Sequence, residues 1–197
     1  MPVPLPPATL RVGPFAQRRS DRYTVQHGLP PGRALAVSVS GSDVCVRTEA
    51  GASEYTQGRW TSVEDERAHS ASHSLVPGGA LPAGEKLLSA AEGAGGRVWL
   101  VTDRGAYCWS RDECLPVIPP ATAPANQPPV PAQPQLTCVA VDTNGTVWFG
   151  STAGVFATDG AGWWNVIDRG SGLPYEDVTC IALAPGGELW VGTTEGV

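Results

Sequence analysis

Apolar residues in this chain come in short runs broken by turn-forming residues. Thr137-Cys138-Val139-Ala140-Val141, Val147-Trp148-Phe149 and Val155-Phe156-Ala157-Thr158 are the clearest, with Asn144-Gly145, Gly150 and Gly154 between or beside them. Runs of this length between turn signals read as β-strands. The pattern is written twice. Residues 137–155 and residues 179–197 align at a spacing of 42, and nine of the 19 aligned positions are identical, including Trp148 with Trp190 and Gly150 with Gly192. A period in the low forties, with several short strands and a fixed Trp, predicts blades of a β-propeller.

The repeat sets the phase of weaker copies. Residues 85–118 contain Gly95-Gly96, Val98-Trp99-Leu100-Val101 and Ala106-Tyr107-Cys108-Trp109. Residues 31–63 form a degenerate copy with Cys45 where the others have Trp, accepted because Trp60 follows Cys45 by 15 residues, as Trp163 follows Trp148. Both Tyr23-Thr24-Val25-Gln26-His27-Gly28-Leu29-Pro30 and the segment from Trp164 to Pro174 run from an aromatic and β-branched stretch into Gly-Leu-Pro. The first ordered piece is therefore expected to be a closing outer strand, whose blade-mates lie elsewhere in a parent chain. Asn144-Gly145 predicts a type I′ hairpin turn. The same turn explains the residues of the glycosylation-type triplet Asn144-Gly145-Thr146.

The expected architecture is all-β: a partial propeller over residues 23–197 with about 3.5 four-stranded antiparallel blades, at 31–63, 85–118, 136–168 and 178–197. The last is truncated inside its third strand, so the sequence reads as a fragment of a longer propeller. Residues 1–22 are a Pro- and Arg-rich tail, and 64–84 and 115–135 are loop insertions. The second insertion carries eight Pro in 21 residues and predicts extended, polyproline-like chain that could serve as a docking segment.

Composition narrows the function classes. The net charge is −6, and the basic cluster Arg11, Arg18, Arg19 and Arg22 sits in the expected tail. A phosphate-binding face is not indicated, so no nucleic acid is expected as partner. No apolar stretch reaches a membrane-spanning length, so this segment is not expected to insert in a membrane. The N-terminus does not have the form of a secretory signal, which favours the cytoplasm. Five Cys fit no zinc spacing; Cys138 and Cys180 share a repeat position and read as small buried hydrophobes, while Cys108 and Cys114 are near enough in sequence to pair. His69 and His73 form an i, i+4 pair without a third ligand, so no metal site is expected.

Residues 139–155, followed by Gly172-Leu173-Pro174, carry an apolar run, a D-x-x-G turn, a W-x-G core, a Gly-led strand and a G-L-P exit. In this the chain resembles the two-component-regulator propeller repeat family. The resemblance implies seven-bladed rings that commonly form the extracytoplasmic sensor part of hybrid histidine kinases. The chain shows none of that setting's signal peptide, membrane span or kinase segment.

The Trp and Gly residues read as architecture, so function is expected in loops on one face. On the usual blade arrangement these carry Asp103, Arg104, Asp168, Arg169, Tyr175, Glu176, Asp177 and Glu195, a mix suited to a small polar ligand such as a carbohydrate, or to a protein. No catalytic constellation and no cofactor are indicated. The expected function is a non-catalytic binding or sensing module. The alternatives are an intracellular interaction scaffold or, with His27, His69 and His73 as the three histidines, a lyase- or lactonase-type propeller enzyme.

Overall fold

The computed structural model describes residues 21–63, 81, 83–111, 113–117, 135–159 and 164–197. Its strands form three four-stranded antiparallel sheets and a two-stranded one, each in simple chain order. The first contains β1 (Ala34–Ser40), β2 (Asp43–Thr48), β3 (Gly51–Thr56) and β4 (Arg59–Val63). The second contains β5 (Leu87–Glu92), β6 (Val98–Thr102), β7 (Ala106–Ser110) and β8 (Glu113–Val117). The third contains β9 (Leu136–Val141), β10 (Val147–Ser151), β11 (Gly154–Thr158) and β12 (Trp164–Ile167), and the fourth β13 (Val178–Leu183) and β14 (Leu189–Thr193). These are propeller blades, three complete and one short.

The cores lie between blades, which explains why the inner strands read as apolar on both faces. Trp99 and Val101 of the second blade pack with Leu136, Val139, Val147 and Phe149 of the third. Cys138 and Val155 of the third pack with Val178 and Ile181 of the fourth. Cys180 of the fourth packs with Ala34, Val37 and Trp60 of the first. Accordingly β5 packs on β9, β9 on β13 and β13 on β1. β1 and β5 do not pack on one another in this way. Among the described residues the blades do not close a ring, and the seam lies between the first and second blades.

Two of these interfaces use the same chemistry. Thr137 Oγ1 donates to Val178 O at 2.7 Å, and Thr179 Oγ1 donates to Ala34 O at 2.6 Å. A Cβ on Gly150 would strike Cys138 Sγ and, at 2.7 Å, Val178 Cγ1; one on Gly192 would strike Cys180 Sγ and, at 2.9 Å, Ala34 Cβ. The Gly of the W-x-G motif is thus required by the approach of the next blade. Pairing registers also place Cys45 opposite Ser38 as Trp99, Trp148 and Trp190 lie opposite Ala91, Ala140 and Ala182, so Cys45 does hold the Trp position.

Several local expectations are corrected. Tyr23 makes a β-pair, but Val25–His27 is a 3-10 turn rather than strand, ended by Gly28 at φ 104°. The partner of Tyr23 is the fourth copy of this same chain: Tyr23 N–H donates to Val197 O at 2.7 Å, and Val197 N–H to Tyr23 O at 3.1 Å. At Asn144-Gly145, Gly145 has positive φ (85°) and Asn144 does not. Gly145 N–H donates to Asp142 O (3.0 Å) and Asp142 N–H to Thr146 O (2.9 Å), a longer turn than type I′. Asp142 Oδ1 holds it by accepting from Asn144 and Thr146 N–H, both at 2.8 Å. Two consecutive positive φ values occur at Gln57-Gly58 (52° and 83°), between paired Thr56 and Arg59, and at Gly95-Gly96 (73° and 71°). Leu115-Pro116-Val117, where the expected blade 85–118 and insertion 115–135 overlap, belongs to β8. The residue equivalent to Trp60 is Trp164, since Tyr55 pairs Trp60 as Thr158 pairs Trp164; Trp163 lies outside the described residues. Cys108 pairs Leu115 and Trp109 pairs Cys114. Cys108 and Cys114 therefore face opposite sides of the sheet and cannot bridge; both are free thiols.

Candidate functional site

At one end of the blades, the four turns after the second strands are built alike. Each starts with a buried hydroxyl residue: Thr48, Thr102, Ser151 or Thr193. That oxygen accepts the backbone N–H two residues on, from Ala50 (3.2 Å), Arg104 (3.1 Å), Ala153 (3.0 Å) and Glu195 (3.2 Å). Ser151 and Thr193 then donate to Gly154 O (2.9 Å) and Gly196 O (3.0 Å). Thr48 donates to Pro31 O at 3.0 Å, and Thr102 to Glu85 Oε2 at 2.6 Å. The hydroxyl satisfies backbone groups that a tight buried turn would otherwise leave unpaired. The sequence reading missed this device; its signal was the Ser/Thr recurring three residues before Gly51, Gly105, Gly154 and Gly196.

The turns present Asp103, Arg104 and Glu195, all exposed, toward solvent. Asp103 is fixed by Lys86: its Oδ1 accepts Lys86 N–H at 2.9 Å, and its own N–H donates to Lys86 O at 3.0 Å. Beside it, Glu85 Oε1 accepts the Tyr107 hydroxyl at 2.8 Å. That bond, with burial and the Glu85 charge, raises the Tyr107 pKa.

The loop from the third blade to the fourth lies at the same end, since Gly154 N–H donates to Glu176 O at 2.8 Å. Asp168 caps the 3-10 turn Arg169–Ser171: its Oδ1 accepts Ser171 Oγ (2.7 Å) and Ser171 N–H (2.9 Å). The Ser171 hydroxyl and amide hold the Asp168 carboxyl below its ordinary range. Glu176 Oε1 accepts Arg169 N–H at 3.2 Å. Asp168 and Glu176 are thus engaged in shaping the loop. Arg169 and Asp177 are exposed, and the Tyr175 ring lies 4.6 Å beneath the Arg22 guanidinium.

The structure does not gather the eight sequence-nominated residues into one cluster. It separates Asp103 and Arg104 on the second blade from Glu195 on the fourth, with the 168–177 loop between. It adds residues that the sequence did not nominate. A cavity of about 540 Å³ lies between the segment before β1 and the turn after β14, lined among others by Arg22, Gln26, His27, Thr194 and Glu195. Thr24 N–H donates to His27 Nδ1 at 3.0 Å, which assigns the ring proton to Nε2.

The space between the inner strands is a second cavity, of about 360 Å³. Its lining is small apolar and hydroxyl residues, two cysteines, and Glu92 as the one ionisable carboxylate. Burial pushes the Cys138 thiol up to about 12 and the Cys180 thiol up to about 11, so neither is a nucleophile at neutral pH. Among the described residues no group of His, Cys, Asp and Glu is arranged to hold a metal, and no helix is long and apolar enough to cross a membrane. His69 and His73 lie outside those residues.

Residues 172–195, from the Gly-Leu-Pro exit through the W-x-G core to the fourth hydroxyl turn, match the family described as two component regulator propeller. That segment is similar to one two component regulator propeller repeat. No curated protein matches the chain. Among solved structures it is similar to the extracellular domain of a system assigned to the hybrid two component class in B. thetaiotaomicron. The identity is 20% and the TM-score 0.41, over 84% of this chain and 20% of that one. It is also similar to a catalytically inactive virginiamycin B lyase from Staphylococcus aureus. There the identity is 15% and the TM-score 0.40, over 89% of this chain and 52% of that one. The match to the regulator propeller repeat therefore spans a small share of this chain, and this chain spans a small share of that extracellular domain.

Proposed function

We propose that the chain is a non-catalytic binding or sensing module that recognises a small polar ligand through the loops at the hydroxyl-turn end of its blades. The observation that carries this reading is the contrast between the two ends of the chemistry. The central cavity offers mainly methyl and hydroxyl groups with one carboxylate, too few titratable groups for acid–base work. The loop end presents exposed Asp103, Arg104 and Glu195 on turns whose backbones are locked by buried hydroxyls, and exposed Arg169 and Asp177 on the loop shaped by Asp168, Ser171 and Glu176. Rigid turns carrying exposed polar side chains are suited to recognition at low entropic cost. The matched repeat supports sensing rather than turnover, and with it an extracytoplasmic placement.

The test is chemical-shift mapping of the labelled protein against a panel of sugars, amino acids and short peptides. The expected result is shifts confined to residues 22–30, 49–50, 103–104, 152–153, 168–177 and 194–195, with no chemical change in the ligand. Shifts centred on the inner strands, or conversion of a panel member to product, would overturn it.

A further inference from the structure

The cavity beside the segment before β1 supports a narrower assignment, which rests on the loop-end reading above. Its walls come from opposite ends of the described chain. Arg22 and His27 precede β1, and Glu195 follows β14. The two walls are tied by the Tyr23–Val197 backbone pair at 2.7 and 3.1 Å. They are also tied by the Tyr23 ring, which lies 5.8 Å from Trp190 of the fourth blade and 5.6 Å from Trp60 of the first. Gly196 (φ 139°) sits against Tyr23 O, where any side chain would force the walls apart.

The polar groups facing this cavity are of complementary kinds. Of the charged side chains lining it, one is a cation, Arg22, and one an anion, Glu195. The Arg22 guanidinium carbon lies 4.6 Å over the Tyr175 ring, a contact that uses none of its N–H donors in a hydrogen bond. His27, whose Nδ1 accepts the Thr24 N–H, adds its Nε2 as a donor on the same wall. Leu29 and Pro30 supply an apolar border.

We propose that this cavity binds a small zwitterion, an α-amino acid or short peptide, with its carboxylate on Arg22 and His27 and its ammonium on Glu195. A simple anion leaves Glu195 unmatched, and a simple cation leaves Arg22 unmatched; a zwitterion matches both. The volume of about 540 Å³ is of the size that small-molecule sites use. Because the ligand spans both walls, occupancy and the Tyr23–Val197 closure are one linked equilibrium.

The test is isothermal titration of the full chain with L-alanyl-L-alanine, with L-alanine, and with the N-acetylated, amidated dipeptide that carries neither charge. At least one of the two zwitterions binds and the blocked dipeptide does not. Arg22→Gln and Glu195→Gln each weaken binding about tenfold, the loss expected for one charge-assisted contact. Both side chains are exposed, so each ligand-free variant still unfolds cooperatively close to the parent melting temperature, with Arg22→Gln giving up only its surface contact with Tyr175, which shows that the fold is kept. Equal binding of the blocked dipeptide, indifference to both substitutions, or no heat from either zwitterion at millimolar concentration would overturn the assignment. The broader loop-end reading would survive any of these, because it is judged by where panel ligands shift the spectrum.

Discussion

Tyr23 and Val197 form the same backbone pair as Ile167 and Val155, although 174 positions rather than 12 separate them in the chain. The equivalence extends outward. Thr24 and Asp168 each precede a 3-10 turn, ended by Gly28 at φ 104° and Gly172 at φ 103°. Leu29 and Leu173 are both buried in the interface with the next blade. The segment before β1 is therefore the outer element of the fourth blade. It is held there without a hairpin, by two hydrogen bonds and an aromatic cluster of Tyr23, Tyr55, Trp60 and Trp190.

Gly196→Ala should undo this closure. Gly196 has φ 139°, and an added Cβ meets Tyr23 O. Since no covalent hairpin restrains the segment, it should lift away at small cost to the remaining blades. Gly154→Ala makes the same clash against Ile167 O, at φ 108°, inside a covalent hairpin. It should instead lower global stability, by about 1–3 kcal/mol from backbone strain alone. Denaturant unfolding, together with limited proteolysis near residue 30, separates the two outcomes.

Gly150→Ala tests the requirement for Gly in the W-x-G motif. Its φ is unremarkable, so the penalty is steric, from Cys138 Sγ and Val178 Cγ1. Overpacking of this kind costs about 1–3 kcal/mol. Cys138→Ala in the same chain removes one of the two obstacles and should recover part of the loss. A double-mutant cycle by thermal unfolding measures the coupling.

Ser151→Ala and Thr193→Val should each destabilise by about 1–3 kcal/mol. Each leaves one backbone N–H and one carbonyl of a buried turn without its hydroxyl partner. Equilibrium unfolding of the two variants checks this. Loss of order at residues 152–153 and 194–195 in amide exchange would accompany it.

Acid should act through Asp142 and Asp168. Burial works to raise the Asp142 carboxyl, but hydrogen bonds from Thr146, Trp148 and Asn144 outweigh it and hold it below 3.8. Asp168 is held below 3.8 by Ser171. A carboxyl whose folded pKa is depressed binds fewer protons in the folded state than in the unfolded one. Its stabilising contribution is therefore present above the unfolded pKa and is lost as pH falls through the folded value. Asp142→Asn should be less stable than the parent at neutral pH, and the gap should narrow as pH drops below 3.8. A pH series of unfolding midpoints measures it.

Thiol reagents should discriminate among the cysteines. Cys138 and Cys180 are buried with pKa values near 12 and 11. Cys108 and Cys114 are half-buried, and burial raises their thiols less. Iodoacetamide on the native protein should modify Cys108 and Cys114 first, and Cys138 and Cys180 after unfolding, as peptide mass spectra would show.

The blades were legible in the sequence because one small set of contacts recurs. Trp148 and Trp190, with Gly150 and Gly192, sit in repeated interfaces, and repeated packing leaves repeated letters. The turns were less legible, since a dipeptide constrains φ weakly. Asn144-Gly145 has the letters of a type I′ turn, yet Asp142 Oδ1 captures two amides and lengthens it. Gln57-Gly58, without the usual Asn, takes the two positive φ values. Leu115 to Val117 were hidden by Pro116, which is tolerated on the outer edge strand β8. Of the candidate site, the loop end was legible from blade topology. His27 and Arg22 were not, because their place beside Glu195 follows from a closure between distant parts of the chain.

The measurement that bears most directly on this account is hydrogen exchange at the Tyr23 amide. Closure of the fourth blade predicts protection comparable to that of the amides that pair β11 with β12 in the third blade. It also predicts loss of that protection in Gly196→Ala, with the β9–β10 amides unchanged. Exchange of the Tyr23 amide at the rate of an unstructured peptide in the parent protein would contradict the closure of the fourth blade, and with it the cavity built on that closure.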